Sequence, residues 1–385
     1  MKSPKNHNIK YDEYSSLSKH IHKYNKKKQI KSNFKIYAFV ILIILFLILP
    51  IVCYYLIKKQ KNQSDIKLRK IFNNIEPSYK LIESYIKAQK DFCENPNIYI
   101  NEKYESNIFL SDVKLNDYKF QMYIFKSDNF ILNEFKLSGA YEIPLSNYII
   151  EALNFYSLKY NISNNKDIFI LDIGGNVGWY PSILGRYGYT ILSFEAFEKN
   201  NYVAKKNYCF LNKDSNVIII TQGLGSEVKN CYYFNQQKNA GNGMVICDNK
   251  TILNDTGLGK MFIKESQVNI TTLNTFMPYL SDKNIALIKI DVEGHELEVL
   301  EGGKELITKY HVPFICLEFS PSYLKEVGSD PRQLAQLFVD NGYKITSDGF
   351  LSKNYLTVDE LLRKAGFQIN CYFIHDSIIN KRNTY

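Results

Sequence analysis

The stretch Leu171-Asp172-Ile173-Gly174-Gly175-Asn176-Val177-Gly178 decides the fold. It closes a continuous apolar run, Ile168–Ile173 (IFILDI), with an acid and paired glycines, and leads into a helical pattern. Such a connection needs glycine where the chain turns sharply and where a ligand approaches the backbone. Four further runs repeat the theme. Thr190–Phe194 (TILSF) ends in Glu195, Val217–Thr221 (VIIIT) in Gln222, and Ile285–Ile290 (IALIKI) in Asp291, while Val312–Phe319 (VPFICLEF) contains Glu318. Helical stretches lie between several of these runs. Short buried strands alternating with helices predict an α/β fold with a doubly wound, mostly parallel sheet. Ligands of such sheets sit beyond the C-terminal strand ends. Asp172, Glu195, Gln222 and Asp291 all fall at that rim.

The glycine spacing narrows the chemistry. A dinucleotide site wants G-x-G-x-x-G with pyrophosphate at the helix N-terminus, but here the glycines are Gly174, Gly175 and Gly178. Asp172 would repel a pyrophosphate and suits a cofactor with a cationic group, such as the ammonium of S-adenosylmethionine. Glu195 stands 23 residues after Asp172, where an acid can accept hydrogen bonds from ribose hydroxyls. The second motif, Lys289-Ile290-Asp291-Val292-Glu293-Gly294-His295-Glu296, gathers Asp291, Glu293 and His295 at another strand end. His295 suits a general base or an orienting group, with a structural hydrogen bond as the competing reading. Position 299 is Val, so the zinc motif H-E-x-x-H fails. Glu296, Glu298 and Glu301 read as a solvated helix face. Trp179 and Tyr180 read as a floor under the cofactor or as ordinary helix core. No metal is expected.

Outward from these motifs, the charge is uneven. The 385-residue chain has a net charge of +9. Residues 1–70 hold 16 Lys+Arg against 3 Asp+Glu, a net of +13, and residues 71–385 hold 32 against 36, a net of −4. A basic tail on a mildly acidic body argues against nucleic-acid binding. Within the tail, Ile36–Ile57 (IYAFVILIILFLILPIVCYYLI) is 22 residues without a charge. As a helix it measures about 33 Å, the thickness of a bilayer core. Its length and the 35-residue polar lead exclude a cleaved signal peptide and predict an uncleaved signal-anchor. Lysines flank both ends almost equally. The four further Lys of the tail favour a cytoplasmic N-terminus and a lumenal or extracellular C-terminal part. The predicted organisation is a polar tail 1–35, a transmembrane helix 36–57, a stalk 58–104 and a catalytic domain 105–385. The stalk is expected to hold a short helix interrupted by Pro77, and 105–137 a small β-rich segment. Segments 226–266 and 321–355 carry weak patterns and read as acceptor loops, with Asn239–Gly243 either a flexible substrate loop or a turn. None of the seven cysteines forms C-x-x-C, which removes zinc and thioredoxin readings and leaves disulfides open.

Five blocks carry a family resemblance: Gly139-Ala140-Tyr141-Glu142, the LDIGGNVG loop, SFEAFEKN at the second strand, TTLNTF, and KIDVEGHELEVLEGG. Together they resemble the FkbM family of S-adenosylmethionine-dependent methyltransferases over about residues 130–320, and less closely to 385. The family often has proline after the strand-end acid, where this chain has Ala196 and Glu198. The resemblance implies a Rossmann-like sheet of the class I methyltransferase type, with S-adenosylmethionine as cofactor. It implies cofactor contacts from Asp172, Gly174, Gly175, Asn176, Gly178 and Glu195, with Gln222 near the adenine. It places Asp291, Glu293 and His295 at the catalytic rim. The implied acceptor is a hydroxyl, often on a sugar or natural product. The competing expectations are a membrane-anchored glycosyltransferase and a non-catalytic binding protein that keeps the fold.

Overall fold

A computed structural model describes residues 77–211, 215–236, 239–247 and 262–379. The apolar run 36–57 lies outside them. Among the described residues no helix is long and apolar enough to cross a membrane.

The strands follow in chain order: β1 (Ile108–Leu115), β2 (Tyr118–Phe125), β3 (Phe169–Ile173), β4 (Thr190–Phe194), β5 (Val217–Ile220), β6 (Gly223–Leu224), β7 (Lys229–Gln236), β8 (Asn239–Ile246), β9 (Phe262–Thr271), β10 (Ile285–Ile290), β11 (Phe314–Phe319), β12 (Tyr343–Thr346) and β13 (Ile369–His375). The main sheet has seven strands in the order β12-β13-β11-β10-β3-β4-β5. β3, β4, β5, β10 and β11 run parallel. β13 is antiparallel to β11, and β12 to β13. The predicted parallel strands are thus present, and the two antiparallel strands at one edge are an addition to them.

Side chains alternate between two cores, because both faces of the sheet are covered. Ile170, Ile191, Ile219, Leu287 and Phe314 pack to one side, against Leu153 of the helix Ile143–Lys159 and Ile183 of the helix Trp179–Arg186. Leu171, Leu192, Ile218, Ile288 and Ile315 pack to the other, with Leu300, Phe338 and Leu361. Trp179 and Tyr180 resolve as core. The Trp179 indole donates to Ser146 Oγ at 3.0 Å and the Tyr180 hydroxyl to Glu142 at 2.7 Å.

Four expectations are corrected. Residues 77–94 are helical and pack on the domain. Gln89 bonds the backbone of Val217 and Ile219 at the β5 edge, and Cys93 forms a disulfide with Cys209. A stalk of exposed chain has no such anchors, and Pro77 is tolerated at the first described turn instead of interrupting it. β1 and β2 form the expected hairpin, but NFILNEF is the helix Asn129–Ser138, started by Asp128 accepting the Phe130 and Ile131 N–H groups. The weak segment 226–266 holds a second sheet, β6-β9-β7-β8, so Asn239–Gly243 is strand. Gly243 faces Tyr233, whose hydroxyl a Cβ would meet at 1.7 Å. Within 321–355 the chain forms the helices Pro321–Glu326 and Pro331–Asp340 and strand β12.

Candidate active site

The chain leaves β3 to build β4 and β5 on one side, then returns to place β10 and β11 on the other. That reversal opens a crevice at the C-terminal ends of β3 and β10. A cavity of about 280 Å³ lies there. Its lining includes Gly174, Asn176, Glu195, Asp291, Glu293 and Glu318, with Phe130 from the helix Asn129–Ser138, Tyr141 from the turn after it, and Tyr233 and Val245 from the second sheet.

On the glycine loop, Gly174 has φ +84°, and a Cβ there would fall 1.7 Å from the Asp291 carbonyl oxygen. The loop after β3 and the acidic loop after β10 are therefore in backbone contact, which only glycine permits. Asn176 also has positive φ. Its N–H donates to Glu195 Oε2 at 2.8 Å, while the Phe197 N–H donates to Glu195 Oε1 at 2.7 Å. Burial raises Glu195 to about 7 against these bonds. Gly175 backs onto Ser193 and Gly178 onto Ala204, so both shape the loop without lining the cavity.

Asp172 also sits behind the loop. It is fully buried, accepts from Ser193 Oγ at 2.7 Å, and does not line the cavity. Its Oδ1 is buried without a hydrogen-bond partner. Gln222 follows β5, and its Oε1 is buried without a partner, but it too is absent from the lining.

Beyond β10, Asp291 lines the cavity and pairs with Lys289 Nζ at 3.1 Å. Lys289 also donates to the Gly174 carbonyl at 3.3 Å and stands in register beside Asp172. Asp291, Glu293 and Glu318 each bring an oxygen within 4.8 Å of the others, a spacing that a cation can bridge although the sequence pointed to none. Burial and then the charge of Asp291 raise both Glu293 and Glu318.

His295 Nε2 lies 2.8 Å from the Val245 carbonyl and Nδ1 3.4 Å from Glu298 Oε2. Both partners only accept, so the doubly protonated ring satisfies them best. Burial lowers its pKa, but Glu298 and the Val245 carbonyl outweigh this and the pKa is raised. The structural hydrogen bond is thus realised, and the general-base reading of His295 is not supported by this arrangement. Glu296 and Glu298 are not a solvated face. Glu296 is 1% exposed and accepts from Gly294 N–H at 3.2 Å, and Glu298 lines the cavity and pairs with Lys229 at 3.7 Å. Glu301 is exposed as expected.

Sequence reasoning missed Lys289 and Glu318 as site residues. A lone Lys inside IALIKI and the acid one residue before the end of FICLEF were the available signals. Tyr233 and Val245 come from segments with no signal of their own, and Asn200 ends the SFEAFEKN block without having been singled out.

The sequence model of the methyltransferase FkbM domain matches residues 172–345. The match runs from Asp172 in β3 to Ile345 in β12, so every predicted site residue lies inside the matched segment. Methyltransferase 1 of Beauveria bassiana (strain ARSEF 2860) is 30% identical over 146 residues, covering 35% of this chain and 58% of that protein. Among solved structures, magnesium protoporphyrin IX methyltransferase from Synechocystis PCC 6803 with bound S-adenosylmethionine is 11% identical at a TM-score of 0.32, covering 64% of this chain and 84% of that one. The plantazolicin methyltransferase BpumL in complex with S-adenosylhomocysteine is 15% identical at a TM-score of 0.30, covering 63% and 88%.

Proposed function

We propose that the protein is a membrane-anchored, S-adenosylmethionine-dependent methyltransferase acting on a hydroxyl of a sugar, a glycan or another small acceptor. The observation that carries this reading is the glycine loop of the matched FkbM segment, with Gly174 and Asn176 lining a cavity that Asp291, Glu293 and Glu318 also line. The residues fit the cofactor. Asn176 Oδ1 is a buried acceptor with no partner, and Glu195 has lone pairs left after its two backbone bonds. Gly174, Asn176 and Glu195 would hold the cofactor, with Asp172, Gly175 and Gly178 shaping the loop behind them and Gln222 beside β5. Bound there, the cofactor supplies an electrophilic methyl group.

The chain's own task is alignment and proton removal. Asp291 and Glu293 form the catalytic carboxylate pair that accepts the acceptor's hydroxyl proton. Lys289 holds Asp291 in place. His295 positions the acidic loop against β8 through the Val245 carbonyl. The acceptor enters past Phe130 and Phe367, which are 59% and 61% exposed at the lining.

Residues 36–57 anchor the chain in the bilayer, and the catalytic domain faces a lumen or the exterior. The disulfides Cys93–Cys209 and Cys231–Cys247 support that side, because such bonds persist in oxidising compartments. The carboxylate trio favours one competing reading, a metal-dependent nucleotide-sugar transferase. Thermal shifts with S-adenosylhomocysteine, with UDP plus Mn²⁺ and with NAD separate the classes. Stabilisation by the first alone supports methyl transfer, and stabilisation by UDP with metal alone sinks it. Incubation with labelled cofactor and a glycan panel, read by mass spectrometry, then names the acceptor.

A further inference from the structure

We infer that Asn200 reads the adenine ring of the cofactor, an assignment that rests on the S-adenosylmethionine reading above. Asn200 lies in the first turn of the helix Glu198–Tyr208, five residues beyond Glu195. It is 3% exposed and lines the cavity. Its Oδ1 is buried with no hydrogen-bond partner among the described residues. Nearby asparagines of the same helix behave differently. Asn201 Nδ2 donates to the Glu195 and Phe197 carbonyls at 2.8 and 3.1 Å. Asn207 accepts from the Tyr123 N–H at 2.6 Å and donates to the Tyr123 and Val177 carbonyls. Those two tie the helix to its surroundings through their Nδ2 groups; Asn201 Oδ1 is also buried without a partner, but Asn201 does not line the cavity, whereas Asn200 does.

A buried amide oxygen without a donor is costly, and native proteins keep few of them. A bound ligand that brings a donor accounts for this one. The amide of asparagine matches the edge of adenine, with Oδ1 accepting from the N6 amine and Nδ2 donating to N7. The cavity wall beside it suits a flat ring. Ala196 and Gly223 are small and face one another, since a Cβ on Gly223 would lie 3.0 Å from that of Ala196, and Leu224 adds an apolar surface. Glu195 borders the same stretch and is left for the ribose hydroxyls.

Calorimetry on the full chain tests this with two probes, S-adenosylhomocysteine and its inosine analogue, in which the N6 donor becomes an acceptor. The wild-type chain should prefer the adenosine form by at least about tenfold. Asn200→Ala should weaken S-adenosylhomocysteine about tenfold and abolish the preference. It should melt at the wild-type temperature, because Oδ1 has no protein bond to lose. Asn200→Ser, too short to span both positions, should do the same and serves as a second variant. The assignment is overturned if the variants bind S-adenosylhomocysteine as tightly as wild type. It is also overturned if they bind it more weakly while keeping the preference, or if they change only the KM of the acceptor. Failure of the wild-type chain to bind S-adenosylhomocysteine at all would instead overturn the cofactor reading, and this assignment with it.

Discussion

Lys289 is 6% exposed and charged, and the rim is arranged around it. Asp291 is its ion-pair partner, Asp172 its neighbour in register, and the Gly174 carbonyl its third contact. A single cation thus steadies the glycine loop and the acidic loop together. Removing the reactive carboxylate should therefore separate chemistry from binding. Asp291→Asn is expected to lower kcat by about 10²–10⁴-fold, the range for a lost general base. The Kd for S-adenosylhomocysteine should stay nearly unchanged, since Gly174, Asn176 and Glu195 are untouched. Equal losses in kcat and affinity would place Asp291 in the cofactor site instead. A second residue-scale prediction concerns pH. Burial raises Glu195 and Glu296 to about 7 from the usual 4.5. Between those values the folded chain holds protons that the unfolded chain has released, so stability falls as pH rises through the window. Glu296→Gln removes its share, and the decline in Tm from about pH 5 to 8 should become shallower. An unchanged slope would show that Glu296 does not titrate there. At this scale the sequence was informative where a residue's partners are local. Asp291 and Glu293 were legible as a rim, but His295 was ambiguous because its deciding partner, the Val245 carbonyl, arrives from β8, 50 residues away.

The glycine loop and the strands around it were legible as elements for a simple reason. Strands buried on both faces read as continuous apolar runs, and each of the five parallel strands did so. The second sheet was not, because β7 (KNCYYFNQ) has polar ends and β8 (NAGNGMVI) holds two glycines, and their pairing depends on Tyr233 filling the space over Gly243. The helix 77–94 was read as stalk because its burial depends on two distant partners, the β5 backbone and Cys209. Gly174→Ala tests the loop most severely. It demands a disfavoured positive φ of a Cβ-bearing residue and drives that Cβ into the Asp291 carbonyl. Binding of S-adenosylhomocysteine should be lost, and retention of wild-type affinity would mean that the two loops do not touch as described. The disulfide Cys93–Cys209 closes a separation of 116 residues. Chain entropy then allows a stabilisation of up to about 5 kcal/mol. Cys93→Ser with Cys209→Ser should lower Tm by several degrees.

For the whole molecule, the +9 net charge is a local property. Residues 1–70 supply +13, and the remainder is mildly acidic, with its informative charges gathered at strand ends. The expected division of labour is a basic collar with an apolar span in residues 1–73 and catalysis in residues 74–385. The full chain should remain in the membrane fraction through an alkaline carbonate wash, and a chain beginning at Asn74 should not. Release of the full chain by carbonate would remove the anchor from the account. The central claim is that the crevice between β3 and β10 binds S-adenosylmethionine, and calorimetric titration with S-adenosylhomocysteine measures it most directly. The account predicts saturable one-to-one binding by the wild-type chain, lost in Gly174→Ala and kept in Asp291→Asn. No heat with S-adenosylhomocysteine, alongside saturable binding of UDP or NAD, would contradict it.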